Sequence, residues 1–283
     1  MKKRIAKLFI IMILILTLTS CKSHVSSNKY DDAKDYKVGN QTYKETISKV
    51  EINWACGEVK IVESSSTTIN ITETGLGLKY DKKVHSLVKD GTLYVQFWRS
   101  GLKSSVDGKD KCVTIQIPSG KNIKVDAGSA TIKSDKLTGN NIELETVSGE
   151  INIKEIKCKT CKIETSSGNI VLNKTTASKS FAADVTSGML NINSIDASNI
   201  DIDDVSGSID MKIESATNIN IRATSSKVNL GFPSNFGSTL TYKTTSGKFG
   251  SSPIYKTVGS KRVFGDGSCN IYVKTVSGDL KIE

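Results

Sequence analysis

Cys158-Lys159-Thr160-Cys161 is the stretch whose residue types could most directly do chemistry. A C-x-x-C pair can cycle between dithiol and disulfide, or supply two thiolates to a metal. No second pair stands at zinc-ligand spacing, and there are two histidines, His24 and His85. Neither has a Ser, Cys or acid at the spacing of a nucleophile–base unit, so nucleophilic catalysis has no candidate constellation. Ser-Gly pairs are frequent, but none opens a helical pattern, so none reads as a phosphate loop.

A second set of residues is acidic. Asp126, Glu145, Glu164, Asp184 and Asp203 recur at steps of 19 or 20 residues, and Arg222, Lys243 and Lys274 continue the series. Carboxylates about 5 Å apart repel by roughly 0.8 kcal/mol in bulk water and roughly 3 kcal/mol at an effective dielectric near 20. Splaying into solvent and salt screening relieve such a row. Ca²⁺ could also bridge it, since hard oxygen ligands suit that ion. A flat row offers oxygens from one side only, so the five acids form at most a weak Ca²⁺ candidate. The three bases could instead meet the acidic row of another molecule and align rods head to tail.

The element that must position these residues is a repeat. ELETVSGEINI from Glu143, KIETSSGNIVL from Lys162, AADVTSGMLNI from Ala182 and DIDDVSGSIDM from Asp201 share one phrase: alternating strand, Ser-Gly, alternating strand. NIRATSSKVNL from Asn220, YKTTSGKF from Tyr242 and VKTVSGDLKI from Val273 repeat it, and VDAGSATIKS from Val125 is a weaker copy. The residues after the Ser are Ala130, Gly149, Gly168, Gly188, Gly207, Ser226, Gly247 and Gly278, at steps of 19, 19, 20, 19, 19, 21 and 31. Such a step holds two short strands and two turns but no crossover helix. Each unit is too small to fold alone and must stack on its neighbours as a solenoid coil.

Alternation at period 2 separates an inside from an outside. One inward column is Leu144, Ile163, Ala183, Ile202, Ile221, Tyr242 and Val273; the other is Ile151, Ile170, Leu190, Ile209, Val228, Phe249 and Leu280. In the same frame Cys158 aligns with Ala177, Ala197 and Ala216, and Cys161 with Ile142, Phe181, Ile200 and Ile219. Both cysteines then point inward and act as small apolar residues. The Gly at each corner fits a tight bend or a positive φ. Eight coils at about 4.8 Å give roughly 34 Å.

VEINWACGEVKIVE from Val50 reads as a first coil, followed by strand signals TINIT, TLYVQFW and VTIQIP. Asp90-Gly91 predicts a tight hairpin before the second of these. Together they predict an antiparallel sheet capping the N-terminal end. Ser251 to Ser268 interrupts the last step and predicts a protruding hairpin or loop. The chain ends in its final repeat strand with no evident cap, which leaves a pairing edge and allows self-association.

Residues 1–20 carry the marks of a secretory signal: Lys2, Lys3, Arg4 and Lys7, then an apolar run Leu8 to Leu18, too short for a membrane span. Leu18-Thr19-Ser20-Cys21 resembles the lipobox of bacterial lipoproteins, which implies cleavage before Cys21 and its lipidation. The predicted location is then lipid-anchored, on the outer face of the cell membrane. Loss of the leader changes 39 basic residues to 35 against 29 acidic, so the net charge falls from +10 to +6. Residues 21–46 are polar and predict a flexible tether, with a few extra edge strands as the alternative. Residues 47–283 form the solenoid domain, with the first coil and cap in 47–121 and the repeats in 122–283.

The I-x-I-x-T-x-SG-x-I-x-I phrase, IQIPSGKNIKV from Ile115 and INWACGEVKI from Ile52 resemble a bacterial family of cell-surface β-strand-repeat proteins labelled “putative adhesin”, a domain of unknown function. The resemblance covers residues 47–283 and implies a single-sheeted or flattened β-solenoid outside the cytoplasm. It carries no catalytic residues.

The fold expected is therefore all-β, a parallel β-solenoid of about 19–20-residue coils with a small antiparallel N-terminal cap. No cofactor is called for. The expected function is a membrane-anchored lipoprotein that presents the solenoid for surface binding or envelope sensing, without catalysis. An enzyme acting on envelope polysaccharide and a self-associating structural protein are the alternatives. Basic residues are scattered with no aromatic-interleaved basic patch, so nucleic acid is not an expected partner. A cell-envelope or surface protein is. After Cys21 five cysteines remain, and spacing assigns no disulfide among Cys56, Cys112 and Cys269.

Overall fold

In the strand Lys49–Trp54 the side chains of Val50, Ile52 and Trp54 are buried and those between them are half-exposed, as period-2 patterning requires. The same alternation runs through every coil of the computed structural model, which describes residues 29–75, 77–102 and 110–283.

Equivalent residues of successive coils lie side by side in parallel register. Leu144 stands between Val125 and Ile163, and Ile151 between Ile132 and Ile170. Ile163 pairs with Ala183, and Ile202 with Ile221. All of these are buried in one continuous core. The extended path Ile170–Ser215 runs without a break through the corners of the middle coils. The expected parallel solenoid is thus the fold observed, and the inward columns are the core. Tyr242 and Phe249 are only partly buried, because their coil is the outermost.

The corner glycines answer to stacking, and two of them, Gly188 at φ 147° and Gly207 at φ 154°, also to a positive φ. A Cβ on Gly149 would run into the carbonyl oxygen of Ala130, and one on Gly168 into that of Gly149. Neither glycine has a positive φ. Hydroxyls close the same corners: Thr146 Oγ1 accepts from Gly149 N at 2.9 Å and Thr165 Oγ1 from Gly168 N at 2.8 Å. Amide side chains also stack between coils, as in Asn141 Nδ2 to Asn122 Oδ1 at 3.1 Å and Asn218 Nδ2 to Asn199 Oδ1 at 3.0 Å.

The spatial order of coils departs from the chain order at both ends. Strands Lys49–Trp54 and Glu58–Ser64 are not the outermost coil. They pair in parallel with Thr92–Gln96 and Cys112–Pro118 on one side, and with Lys121–Ala127 and Thr131–Ser134 on the other. The segments TLYVQFW and VTIQIP therefore form a further parallel coil rather than part of an antiparallel cap. The antiparallel cap is made of His85–Lys89 and Ile69–Thr74, which carry Lys37–Val38 and Gln41–Tyr43 on their far edges. The Asp90-Gly91 hairpin forms as expected, with Lys89 opposite Thr92 and positive φ at both turn residues.

Over its described part, residues 29–46, the expected tether is corrected by these edge strands; residues 21–28 lie outside the described residues. Tyr43 is buried, and its hydroxyl lies 2.8 Å from Ser86 Oγ. Tyr30 packs on Tyr36 with the rings tilted, and its hydroxyl donates to the Trp98 carbonyl at 3.0 Å. Aromatic rings supply the burial that the missing aliphatic residues could not.

At the other end, Cys269–Lys274 and Leu280–Ile282 insert between the coil of Asn218–Gly231 and that of Ser238–Lys243 with Phe249–Ser251. The final repeat is therefore an inner coil, not an open edge. The outermost coil is the earlier one, and Lys261–Phe264 caps it in antiparallel pairing with Ser238–Lys243. Lys256–Val258 pairs with that cap through a two-residue turn, so the expected protruding hairpin is present. With both caps the stack measures roughly 60 Å at about 4.8 Å per strand.

Candidate functional site

The acidic column is in register. Asp126 pairs with Glu145, Glu145 with Glu164, and Glu164 with Asp184 across adjacent strands. Asp203 meets Arg222 in the next coil, and Arg222 then meets Lys274, which meets Lys243. Bases in a neighbouring column and in the column itself supply much of the charge relief. Lys124 pairs with Asp126 at 3.0 Å, Lys162 pairs with Glu164, and Arg222 reaches both Asp203 and Asp201.

The residual strain shows in the protonation of the row. Burial, then a shared hydrogen bond with Glu164 and its charge, push Asp184 up to about 6. Burial, with Asp126 and Glu164 on either side, also raises Glu145. Arg222 is raised by its hydrogen bond to Asp203. Among the described residues no group of three or more His, Cys, Asp or Glu is placed to hold a metal ion. Of the weak Ca²⁺ candidates Asp126, Glu145, Glu164, Asp184 and Asp203, three are paired with a base of the protein itself: Asp126, Glu164 and Asp203.

The cysteine pair sits where the repeat puts it. Cys158 pairs with Ala177 and Cys161 with both Ile142 and Phe181, and both thiols are buried. Their mutual hydrogen bond lowers Cys158 and raises Cys161. Cys112 and Cys269 are also free thiols, and Cys56 is buried. Cys21 and His24 lie outside the described residues.

His85 does not lie in a polar connector. It begins a cap strand, is buried, and its Nδ1 stands 2.9 Å from the Lys83 carbonyl. Burial lowers its pKa. Beside it is a feature the sequence reading missed. Lys111 Nζ is buried, 2.9 Å from Glu73 Oε1, and donates to the Lys82 and Phe97 carbonyls. Its ammonium also lies 4.0 Å from the Phe97 ring and 4.8 Å from the Trp54 ring. Burial lowers its pKa, with Glu73 opposing. These contacts pin the loop end to the cap, and the fixed partners make this a structural ion pair. No local spacing marks Lys111, because its partners come from three distant segments.

A shallow concavity of about 380 Å³ lies at one corner near Glu63, Asp135 and Lys136. Its carboxylates are engaged: Glu63 pairs with Lys136 at 3.1 Å and Asp135 with Lys154 at 2.6 Å. The Lys154 contact holds Asp135 below the usual carboxylate range, the opposite of what a general acid in glycoside cleavage needs.

The hairpin end is built differently. Arg262 stacks 4.1 Å from the Phe249 ring and 6.0 Å from that of Tyr255. Tyr255 in turn packs on Phe249 and Phe264, with centroids 5.7 and 5.4 Å apart. Beyond this base project Ile254, 94% exposed, and Val258, 61% exposed. Here one base, Arg262, is packed among aromatic rings.

A family model for Toastrack DUF4097 matches residues 47–283. The chain belongs to the Toastrack DUF4097 family. Among curated proteins none matches it. Solved structures resemble it to differing degrees. One is a “putative adhesin” from Bacteroides fragilis NCTC 9343, at 16% identity and a TM-score of 0.52, covering 87% of this chain and 97% of that one. Two others come from Parabacteroides distasonis ATCC 8503. One is described as a “putative lipid binding protein”, at 16% identity and a TM-score of 0.46, covering 87% of this chain and 97% of that one. The other is described as a “putative adhesin”, at 11% identity and a TM-score of 0.45, covering 88% and 98%. The first of these shows the fold alone. In this Toastrack chain the cap strands over 37–43 lie ahead of the matched span, so the folded unit begins before the family model does.

Proposed function

We propose that this Toastrack protein is a non-catalytic binding module, held by an acylated Cys21 at the outer face of the cytoplasmic membrane, and that its solenoid is displayed to a partner in the envelope or on another surface. One observation carries the reading: the two ends of the stack are unlike. The chain enters at the N-terminal cap, where Tyr30 N donates to Ser100 Oγ at 3.0 Å and its ring packs on Tyr36. The other end, roughly 60 Å away at strand spacing, carries the exposed hairpin. A stack anchored at one end and presenting unsatisfied apolar surface at the other is suited to contact, and its stacked, ion-paired faces are suited to remaining soluble.

Two acyl chains hold a protein at a bilayer far more firmly than one. The test is fractionation of intact cells with external protease. Wild-type protein should sediment with membranes and be digested from outside, and Cys21→Ala should release it. Unchanged membrane retention of Cys21→Ala, or protection from protease, would refute the reading.

A further inference from the structure

We propose that the hairpin end is a docking surface for an anionic lipid bilayer, a step that rests on the binding-module reading and names its partner. Residues 238–268 carry five bases, Lys243, Lys248, Lys256, Lys261 and Arg262, and one acid, Asp266. None of the five is in an ion pair among the described residues, in contrast with Lys124, Lys162 and Arg222 along the acidic column. The end of the stack therefore holds positive charge that the protein itself does not neutralise.

Apolar side chains project among those bases. Ile254 is 94% exposed and Val258 is 61% exposed, and Tyr255 lies at the margin of the same surface. A soluble polyanion has no use for them. A bilayer does, because it offers hydrocarbon beneath a negative headgroup layer, where Lys and Arg reach up while apolar side chains reach down.

The hairpin is braced at its base. Ser251 Oγ donates to the Pro253 carbonyl at 2.8 Å and shapes the bend before Ile254. Phe249, Tyr255, Phe264 and Arg262 form the packed base described above. The turn between Val258 and Lys261 is closed by Gly259 with φ of 60°. Little ordering is left to be lost on docking.

A second copy of the chain is the competing occupant, since Lys256–Val258 is an edge strand. It is short and fully exposed, and Lys256 sits on it. A short edge bearing Lys discourages strand pairing between copies, and two ends of the same positive sign repel.

The test uses the secreted chain carrying Cys21→Ala, so that no acyl group contributes. The probes are vesicles of phosphatidylcholine alone, and the same vesicles with about 30% phosphatidylglycerol, an anionic fraction chosen to give a negative surface. The chain should co-sediment with the anionic vesicles and not the neutral ones, less so at high salt. Ile254→Ser with Val258→Ser should weaken binding tenfold or more with an unchanged melting temperature. Lys256→Ser with Lys261→Ser should do likewise. An environment-sensitive dye on Ile254→Cys should shift to the blue on anionic vesicles alone. Absence of binding, or equal binding to neutral vesicles, would overturn the proposal. So would full binding by the Ile254→Ser/Val258→Ser variant together with complete competition by soluble polyphosphate. Self-association that the same variant abolishes would assign the surface to a second copy instead. The vesicle result stands apart from the location of the protein in cells, so failure here leaves the anchoring test untouched.

Discussion

Arg222 lies directly over Asp203 of the preceding coil and grips its carboxylate with two parallel bonds, Nε to Oδ1 at 2.5 Å and Nη2 to Oδ2 at 2.6 Å. This pair is the boundary at which the acidic column turns basic. The fork geometry explains why Arg stands at the boundary where Lys continues the column. The site is partly exposed, so the pair contributes at most about 1 kcal/mol. Arg222→Glu would extend the acids by one coil. It should lower the melting temperature, with the loss shrinking as salt rises from about 0.05 M to 0.5 M. A loss unaffected by salt would mean that packing and not charge governs the boundary.

Asp184 gives the column a pH signature. The folded carboxyl holds its proton to about 6, whereas an unfolded Asp releases it near 3.9. Between these values the folded state binds the extra proton. The stabilisation is complete below about pH 4 and is lost as pH rises through about 6. His85 works in the opposite direction, since burial lowers its pKa, but it is common to both proteins compared. Asp184→Asn should therefore remove a fall in melting temperature between about pH 4 and 7 relative to wild type. Parallel curves for the two proteins would show that Asp184 does not carry the proton.

The core prediction rests on two adjacent residues. Ile202 is fully buried between coils, while Asp201 faces water. Ile202→Ala should cost about 2–5 kcal/mol in denaturant unfolding. Asp201→Ala removes contacts to Asn220 at 2.6 Å and Arg222 at 3.1 Å, and should cost under about 1 kcal/mol. Equal costs would contradict the assignment of inside and outside.

The corner glycines give a paired test. Gly168 has no room for a Cβ against the carbonyl of Gly149, whereas Gly250 has nothing within 4 Å of the position a Cβ would take. Gly168→Ala should cost about 1–3 kcal/mol from overpacking, and Gly250→Ala should be near neutral. A neutral Gly168→Ala would show that the coils can part at the corner without loss.

The columns were legible in the sequence because period-2 alternation and a fixed step suffice to assign them. That is why Cys158 could be placed beside Ala177 and Cys161 beside Phe181 before any coordinates. The order of coils was not legible. Val273 and Tyr242 present the same inward position, and spacing along the chain does not say which of two coils lies nearer Ile221. Only the half-exposed rings of Tyr242 and Phe249 reflect a terminal coil. The cap strands at 37–43 were hidden because their burial rests on aromatic contacts with distant partners, such as Tyr43 with Ser86. Lys111 was hidden for the same reason: Glu73, Lys82 and Phe97 converge on it from separate segments.

The central claim, that this solenoid binds and does not catalyse, is tested most directly by titrating labelled, anchor-free chain onto isolated cell envelopes, with the supernatant assayed for released sugars. The account predicts saturable binding that unlabelled chain displaces, with no glycan released over time. Binding that never saturates, or steady release of envelope sugars in proportion to added protein, would contradict it.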